Sequence, residues 1–229
     1  MKLHSFSLSA FFLLVLIGCE QPPKKKETIS IEIKKEIVPE KVIEKSWDSL
    51  RKHNVEAFFT EYEKTNKETK LLIKTKFGNI KVLLYNDTPI HRANFIFLTK
   101  IGYFDTTVFY RVAKNFVIQG GNSDDMYTME QRYKYGNYLV KPEFRKHRKH
   151  KYGALAAARH WENNPNMLSS PFEFYMVQNK KGAHHLDNLH TVFGEVLSGF
   201  YTMERISKVN VGVDEWPKID IKMTVEVIE

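Results

Sequence analysis

From Thr69 onward, apolar and polar residues alternate in short runs, and this pattern is typical of β-strands. The first two runs flank Phe77-Gly78-Asn79, where glycine readily adopts a positive φ, so a hairpin is predicted there. Further β-prone runs lie between loops that contain Gly, Asn, Asp or Pro, at 107–119, 152–158, 172–178, 191–196 and 219–228. Because these strands do not alternate with helices, the pattern predicts a closed antiparallel barrel or a sandwich.

A segment before these strands has the spacing of an amphipathic helix. The segment covers residues 46–66, and the helix within it begins at Ser46 or Asn54. Four apolar residues recur on one helical face, namely Val55, Phe58, Phe59 and Tyr62. We expect this short helix to pack on the β-rich domain.

Two more helices are predicted inside the β-rich region. One follows Thr88 as the N-cap, with Pro89 at the first helical position and Gly102 beyond the last turn. The other is predicted for the sequence GFYTMERISKV at 199–209. Two internal helices are too few for a sheet in which strands and helices alternate.

The N-terminal residues resemble an export signal. An apolar run at 11–18, FFLLVLIG, follows Lys2 and is too short for a membrane-spanning helix, which needs roughly 20 residues. Cys19 is the single cysteine of the chain, and Leu16-Ile17-Gly18-Cys19 resembles a bacterial lipobox, in which the cysteine carries the lipid. An ordinary cleaved signal peptide with a leftover thiol is the alternative.

These features divide the chain into four predicted parts. Residues 1–18 are a lipoprotein signal peptide, 19–45 a charged tether, 46–66 a short helical extension and 67–229 the folded domain. We therefore expect an extracytoplasmic protein that is lipid-anchored through Cys19 to a bacterial membrane, on the periplasmic side or at the cell surface.

The charge balance permits an acidic partner without requiring one. Against 27 Asp and Glu stand 35 Lys and Arg, a formal net charge of +8, but no nucleic-acid-binding motif accompanies it, so no nucleic-acid partner is expected. The strongest basic run, RKHRKHK at 145–151, is interpreted as a solvated loop between strands. Four histidines lie too loosely spaced for a metal site, namely His147, His150, His184 and His185. Neither a metal nor another cofactor is expected.

One stretch, FYRVAKNFVIQGGN at 109–122, places Arg111 and Gln119 among large apolar residues. In a single strand, side chains repeat their direction every two residues, so Arg111 and Gln119 would share a face. Phe116 would reach that face only if Lys114-Asn115 formed a bulge or a turn. A buried arginine paired with a carboxylate is the ordinary structural alternative for Arg111.

This stretch resembles the signature of the cyclophilins, a family of peptidyl-prolyl cis/trans isomerases. Three further stretches agree with that family in order and spacing: GNIKVLLYNDTPIHRANFIFL at 78–98, GALAAARHWENNPNMLSSPFEFYMV at 153–177 and HHLDNLHTVFGEV at 184–196. The resemblance extends from about Thr69 to Glu229. It implies a mainly β fold, a closed eight-stranded antiparallel barrel capped by two α-helices, with the N-terminal helix and tether outside it.

The resemblance also implies roles for individual residues. Arg111 would be the catalytic cation that donates to the prolyl nitrogen in the twisted state, and Gln119 would orient its guanidinium. The proline ring would lie against four pocket residues, Phe116, Tyr175, Leu186 and His190. The backbone near Ala158 and Arg159 would align the peptide as an added strand.

Four predicted substrate-binding positions depart from the best-known cyclophilin pattern. Tyr110 replaces a His, Arg159 an Asn, Glu173 a Gln and His185 a Trp. Glu173 either pairs with Arg111 and weakens its donation to the substrate, or lies on the rim and favours basic peptides. The sequence leaves both alternatives open.

The expected function is peptidyl-prolyl cis/trans isomerisation of Xaa-Pro bonds in extracytoplasmic proteins, which assists their folding. The expected partners are proline-containing polypeptides, and the chain is expected to be a monomer. A catalytically weak module or chaperone that binds proline peptides on the same barrel is the alternative, motivated by Glu173 and His185. Surface or nucleic-acid binding through the basic run is a third hypothesis.

Overall fold

The structure is a computed structural model, and it describes residues 50–136 and 138–229. Within these ranges the chain forms four α-helices, α1 (Val55–Thr65), α2 (Pro89–Lys100), α3 (Met126–Tyr135) and α4 (Phe200–Ile206). It also forms eight strands, β1 (Lys70–Thr75), β2 (Gly78–Leu84), β3 (Val108–Ala113), β4 (Val117–Asn122), β5 (Ala154–Ala157), β6 (Phe174–Val177), β7 (Val192–Ser198) and β8 (Met223–Val227). Short 3-10 helices cover Phe104–Thr106 and His184–Leu186.

The eight strands form one antiparallel sheet in the order β3-β4-β6-β5-β7-β2-β1-β8. The sheet curls so that its two edge strands approach each other at the bridge between Val108 and Lys222. The Phe109 N–H also donates to the Ile221 carbonyl at 2.9 Å. The mainly β antiparallel fold is therefore confirmed. The predicted closed barrel is not confirmed, because no continuous ladder joins β3 to β8 in the described ranges.

The core forms where the strands turn their apolar face toward α2. Alternation along β1 and β2 buries Leu71, Ile73, Ile80 and Val82, as the sequence pattern requires. The helix α2 packs against β7, β8 and α1, and most of its side chains are therefore buried. Burial on several sides explains why α2 carries apolar residues around most of its circumference.

The predicted hairpin and helices are present. Gly78 adopts a φ of 123° at the β1–β2 turn, and Asn54 and Thr88 occupy the N-cap positions of α1 and α2. The apolar face of α1 packs on α2, because the rings of Phe58, Phe59 and Tyr62 lie 5.6, 5.8 and 5.6 Å from the ring of Phe97. These contacts join the helical extension to the domain.

Glu143, which lies in the loop after α3, supplies acceptors at the N-terminus of α2. Its carboxylate accepts from the backbone N–H groups of Ile90 at 3.2 Å and His91 at 2.8 Å. The negative charge also complements the positive end of the helix dipole.

The helix α3 is absent from the sequence-based prediction. Asp125 is the N-cap of α3, and its side chain accepts from the Tyr127 N–H at 2.9 Å. The large apolar residues Met126, Met129 and Tyr133 of α3 are exposed. The helix therefore lacks the buried apolar stripe by which a helix is recognised in a sequence.

The basic run at 145–151 is a loop, but it is less solvated than predicted. The Arg148 guanidinium lies 3.5 Å from the centre of the Tyr85 ring, and its Nε donates to Asp87 at 3.1 Å. His150 is fully buried. Carboxylates such as that of Asp87 therefore offset part of the positive charge of the basic run, which had suggested an acidic partner.

The predicted signal peptide (1–18), the lipidation site Cys19 and the tether (19–45) lie outside the described residues. Within the described ranges, no helix has both the length and the apolar character needed to cross a membrane.

Candidate active site

The stretch 109–122 is a β-hairpin rather than a single strand. Asn115 has a φ of 58° in the turn, and β3 returns as β4 with Arg111 directly opposite Gln119. The Arg111 Nη1 lies 3.4 Å from the Gln119 Oε1 and donates to it. The two side chains thus meet as predicted, but the reason given was wrong, because they are cross-strand partners and not neighbours along one strand.

A bulge in β3 adds Tyr110 to this pair. The register shifts between Phe109 and Arg111, so that Tyr110 and Arg111 together oppose Gln119. The Gln119 Nε2 donates to the Tyr110 hydroxyl, while its Oε1 accepts from Arg111. Both ends of the Gln119 amide are therefore occupied, which fixes its orientation.

Arg111 faces a cavity of about 650 Å³. Nine of the eleven predicted site residues line this cavity: Arg111, Phe116, Gln119, Ala158, Arg159, Tyr175, His185, Leu186 and His190. Tyr110 and Glu173 do not line it, although each contacts residues near it. The cavity is also lined by Val117, Trp161 and Leu189, which were not predicted.

Aromatic rings, together with Leu186, form a wall of the cavity. Phe116 stacks on His185 with ring centres 5.4 Å apart, and Tyr175 lies 5.5 Å from the ring of His190. Leu186 and Tyr175 are buried. A wall of this composition suits a small apolar ring.

His190 is neutral at physiological pH. Burial, with a contribution from nearby Arg159, lowers the pKa of His190 to about 4. The Nδ1 donates to the Ala157 carbonyl at 3.1 Å, so the Nε2 carries the lone pair, and it has no hydrogen-bond partner in the described part of the chain. A neutral ring that lines the cavity fits the predicted role of a pocket wall.

A buried network behind the wall was not predicted. The Tyr175 hydroxyl donates to His150 Nε2 at 2.9 Å, and His150 Nδ1 donates to Asp187 Oδ1 at 2.9 Å. Burial lowers the pKa of His150 and raises the pKa of Tyr175, so both side chains stay neutral. These bonds fix the ring of Tyr175 from behind.

The backbone near Ala158 is less available to a peptide than predicted. The Ala158 N–H donates to the Glu173 carbonyl at 3.0 Å, and its carbonyl accepts from the Ser170 N–H at 2.8 Å. The neighbouring Arg159 makes no backbone–backbone hydrogen bond within the described ranges. Pairing with an added peptide strand would therefore fall to Arg159.

The side chain of Arg159 lines the cavity together with Trp161. Its Nε donates to the Leu189 carbonyl at 2.8 Å, and its guanidinium lies 4.3 Å from the centre of the Trp161 ring. Trp161 is 60% exposed and lies 5.2 Å from the ring of His190. A tryptophan two residues beyond Arg159 was the available signal for this contact.

The comparisons with known proteins agree with this geometry. The family model described as "Cyclophilin type peptidyl-prolyl cis-trans isomerase/CLD" matches residues 70–227. The chain belongs to this family. Cyclophilins of this type are isomerase enzymes, and the match covers the strands and loops that form the cavity.

Two relatives and one solved structure illustrate the match. A Rhizopus delemar "Peptidyl-prolyl cis-trans isomerase-like 2" is 32% identical over 71% of this chain and 29% of its own length. A Streptococcus pyogenes "Putative bifunctional phosphatase/peptidyl-prolyl cis-trans isomerase" is 31% identical over 70% of this chain and 39% of its own length. The chain therefore spans well under half the length of these two curated relatives.

The solved structure is that of a Cryptosporidium parvum cyclophilin type peptidyl-prolyl cis-trans isomerase, determined in the presence of the dipeptide Ala-Pro. It has a TM-score of 0.59 and 23% identity, and the match covers 70% of this chain and 99% of that one. At this identity the likeness shows the cyclophilin fold.

Glu173, one of the departures from the cyclophilin pattern, takes neither predicted role. Its carboxylate pairs with Arg132 of α3 at 3.1 Å, and its side chain is 15% exposed, so it neither pairs with Arg111 nor projects from the rim. Arg132 also donates to Asn122 at 2.8 Å. Burial and the nearby Glu173 carboxylate raise the pKa of Tyr110. The unpredicted α3 explains the error, because it supplies the partner of Glu173.

A different carboxylate reaches Arg111. The Nη2 of Arg111 lies 2.7 Å from Glu215 Oε2, and the two side chains are 34% and 41% exposed. The alternative of an arginine paired with a carboxylate is therefore correct in its pairing but not in its burial, since Arg111 lines the cavity. Glu215 comes from the loop before β8, and no local pattern in the sequence links it to β3.

Proposed function

We propose that this cyclophilin catalyses cis/trans isomerisation of Xaa-Pro bonds in extracytoplasmic proteins and thereby assists their folding. The observation that carries the proposal is the arginine, bonded to Gln119, at a cavity that also has an aromatic and apolar wall. Prolyl isomerisation crosses a barrier of about 18–20 kcal/mol that arises from amide resonance. Lowering that barrier requires no covalent intermediate.

Arg111 acts on the twisted bond. As the peptide bond rotates, the prolyl nitrogen loses resonance and gains a lone pair, to which a guanidinium N–H donates. The same planar group has further donors for the neighbouring carbonyl. Because the lone pair is exposed in the twisted state and not in the planar state, the donation stabilises the transition state selectively.

The cavity wall holds the proline while the bond rotates. Phe116, Tyr175, Leu186 and His190 contact the ring, and Arg159 pairs with the peptide backbone as it runs across the site. The Ala-Pro dipeptide named with the Cryptosporidium parvum structure supports a proline-containing peptide as the ligand class. No cofactor takes part.

The extracytoplasmic location rests on the N-terminal sequence. The apolar run and Leu16-Ile17-Gly18-Cys19 support a lipid anchor at Cys19 that holds the catalytic domain at a bacterial membrane, on the periplasmic side or at the cell surface. Incorporation of labelled fatty acid into the full chain, and its loss in Cys19→Ser, tests the anchor. Unchanged labelling in the variant would contradict it.

A catalytically weak binding module or chaperone on the same fold is the second candidate. The observation that favours it is the Glu215 carboxylate on Arg111, which engages one of the donors that the substrate would use. Such a protein would bind proline peptides in the same cavity with little turnover. The two candidates therefore differ in rate and not in binding.

Exchange NMR on a short Xaa-Pro peptide with the full chain separates the candidates. An isomerase accelerates cis/trans exchange well above background, and Arg111→Ala removes most of the acceleration, by about 100-fold or more. Lys74→Ala, which changes an exposed charge on β1, serves as the control and keeps full activity. Peptide binding without acceleration would contradict the isomerase proposal and support the binding module.

A further inference from the structure

The loop at 209–218 packs on the free edge of β3, the strand that carries Arg111. The Val112 N–H donates to the Glu215 carbonyl at 2.8 Å. The loop is itself bonded across its base and tip, by Lys218 N–H to the Asn210 carbonyl at 2.9 Å and Gly212 N–H to the Trp216 carbonyl at 2.8 Å. These bonds give the loop a defined backbone structure, and the loop covers an edge strand of the sheet.

The loop fixes the direction of the Glu215 side chain. Glu215 has a φ of 65°, in the left-handed region that a non-glycine residue adopts only when its surroundings hold it there. On the next residue, the Trp216 ring packs against Tyr110 with centres 5.5 Å apart. The backbone bond and this ring contact hold residues 215 and 216 against β3, and the Glu215 carboxylate contacts Arg111.

Two acceptors therefore hold the Arg111 guanidinium. Gln119 accepts from Nη1 at 3.4 Å, which is long for a hydrogen bond, whereas Glu215 accepts from Nη2 at 2.7 Å. A guanidinium has five N–H donors, so bonds to both acceptors leave donors for a substrate. The shorter, charge-assisted contact is the one that orients the planar group.

We propose that Glu215 is a positioning residue that orients Arg111 for catalysis. The inference rests on the proposed role of Arg111 in isomerisation. Without Glu215, the guanidinium would be restrained by the long bond to Gln119 and would sample more orientations. Because preorganised donors stabilise a transition state without reorganisation, this loss lowers kcat. The apolar wall binds the proline ring independently, so KM changes little.

Two variants of Glu215 separate orientation from charge. Glutamine keeps an acceptor for Nη2 and removes the negative charge, whereas alanine removes both. We expect kcat to fall about 3- to 10-fold in Glu215→Ala, with KM within about twofold, and Glu215→Gln to retain most of the activity. Glu226→Ala, which removes an exposed carboxylate paired with Lys74 at 2.8 Å, is the control and leaves kcat unchanged.

The same variants made in the Arg111→Ala background distinguish the possible failures. If Arg111→Ala alone retains activity, the proposed function of Arg111 fails. If Arg111→Ala loses activity but Glu215→Ala does not, the positioning role is overturned. A higher kcat in Glu215→Ala would also overturn it, because the carboxylate would then act as a brake. In support, Glu215→Ala would have no further effect once Arg111 is removed.

Proton exchange of the Arg111 guanidinium gives a readout that does not depend on turnover. In the full chain, NMR should detect slower exchange of these protons in the wild type and in Glu215→Gln than in Glu215→Ala. Melting temperatures of all variants, compared with Glu226→Ala, establish that each is folded. Equal exchange rates in the wild type and in Glu215→Ala would contradict the proposal.

Discussion

The two sides of the cavity differ in how they are built. The apolar wall belongs to the interior: Tyr175 and Leu186 are 4% and 6% exposed, and a buried histidine fixes Tyr175 from behind. The side that carries Arg111 lies at an edge of the sheet: Arg111 and Glu215 are 34% and 41% exposed and meet where a loop covers β3. On the proposed function, the buried wall binds the proline ring in the ground state, and the polar network at the sheet edge stabilises the charge that develops in the twisted state.

The largest expected effect tests the edge. In Arg111→Lys the charge stays but the planar fork is lost, so the side chain can no longer bond Gln119 and Glu215 while it donates to the substrate. We expect kcat to fall about 100-fold and KM to change less than about threefold. Exchange NMR at several peptide concentrations measures both. A variant with normal kcat and a raised KM would show that Arg111 binds the substrate and does not stabilise the twisted state, which would contradict the proposed difference between the two sides.

The wall is tested by Leu186→Ala. Removal of a buried wall side chain should destabilise the fold by about 2–3 kcal/mol and raise KM about tenfold, with kcat nearly unchanged. Denaturant unfolding and peptide titration measure these quantities. Leu197→Ala on β7 is the matched control, because Leu197 is 40% exposed. Equal losses in the two variants would show that Leu186 is no part of a binding wall.

The protonation of His190 tests the wall without removing a side chain. The folded protein holds the pKa of His190 at about 4 through burial, well below its ordinary value of 6.5. The unfolded chain therefore binds the proton more readily, and the stability present above pH 6.5 is lost as pH falls toward 4. We expect this group to lower stability by about 2 kcal/mol between pH 7 and pH 5.

The measurement for His190 is the unfolding free energy against pH for the wild type and His190→Gln. The difference between the two slopes isolates His190 from other groups, including His150, whose pKa is also lowered by burial. Parallel curves would mean that His190 does not titrate as a buried wall residue.

The smallest expected effect concerns Glu173. Because Glu173 pairs with Arg132 and not with Arg111, Glu173→Gln should change kcat/KM by less than about threefold. Steady-state exchange rates on neutral and basic Xaa-Pro peptides measure this. A tenfold gain in kcat would instead place Glu173 in control of Arg111, and a selective loss on basic peptides would restore its predicted place on the rim.

Much of the fold could be predicted from the periodicity of apolar residues and from the residues that mark helix ends. The helices α1 and α2 were predictable because each has a buried apolar stripe or a marked N-terminus, with Asn54 and Thr88-Pro89 at their starts. The helix α3 was not, because its large side chains remain exposed. A bulge or turn at Lys114-Asn115 was predicted only as the condition for Phe116 to reach the face of Arg111. Because it has neither Gly nor Pro, the sequence was otherwise interpreted as one strand, and the reversal between β3 and β4 was not predicted.

The site divides in the same way. Residues within the four family-like stretches, such as Phe116 and Tyr175, were recognised from local sequence and lie at the cavity. Glu215, which lies outside these stretches, and Asp187, which lies within the last of them, act through contacts that the folded chain creates between distant segments. Neither has a local spacing that distinguishes it from a surface carboxylate, so a single sequence carries no signal for these roles.

The position of β1 between β2 and β8 affects when the protein can become active during its synthesis. β1 pairs with β2 at once along the chain, but its second partner is β8, at residues 223–227. Contacts of such long sequence separation form late and slow the folding of β-rich domains. The loop that brings Glu215 to Arg111 directly precedes β8. A nascent chain that has not yet emerged to that point therefore carries Arg111 without its carboxylate partner and an inner strand with one side unpaired.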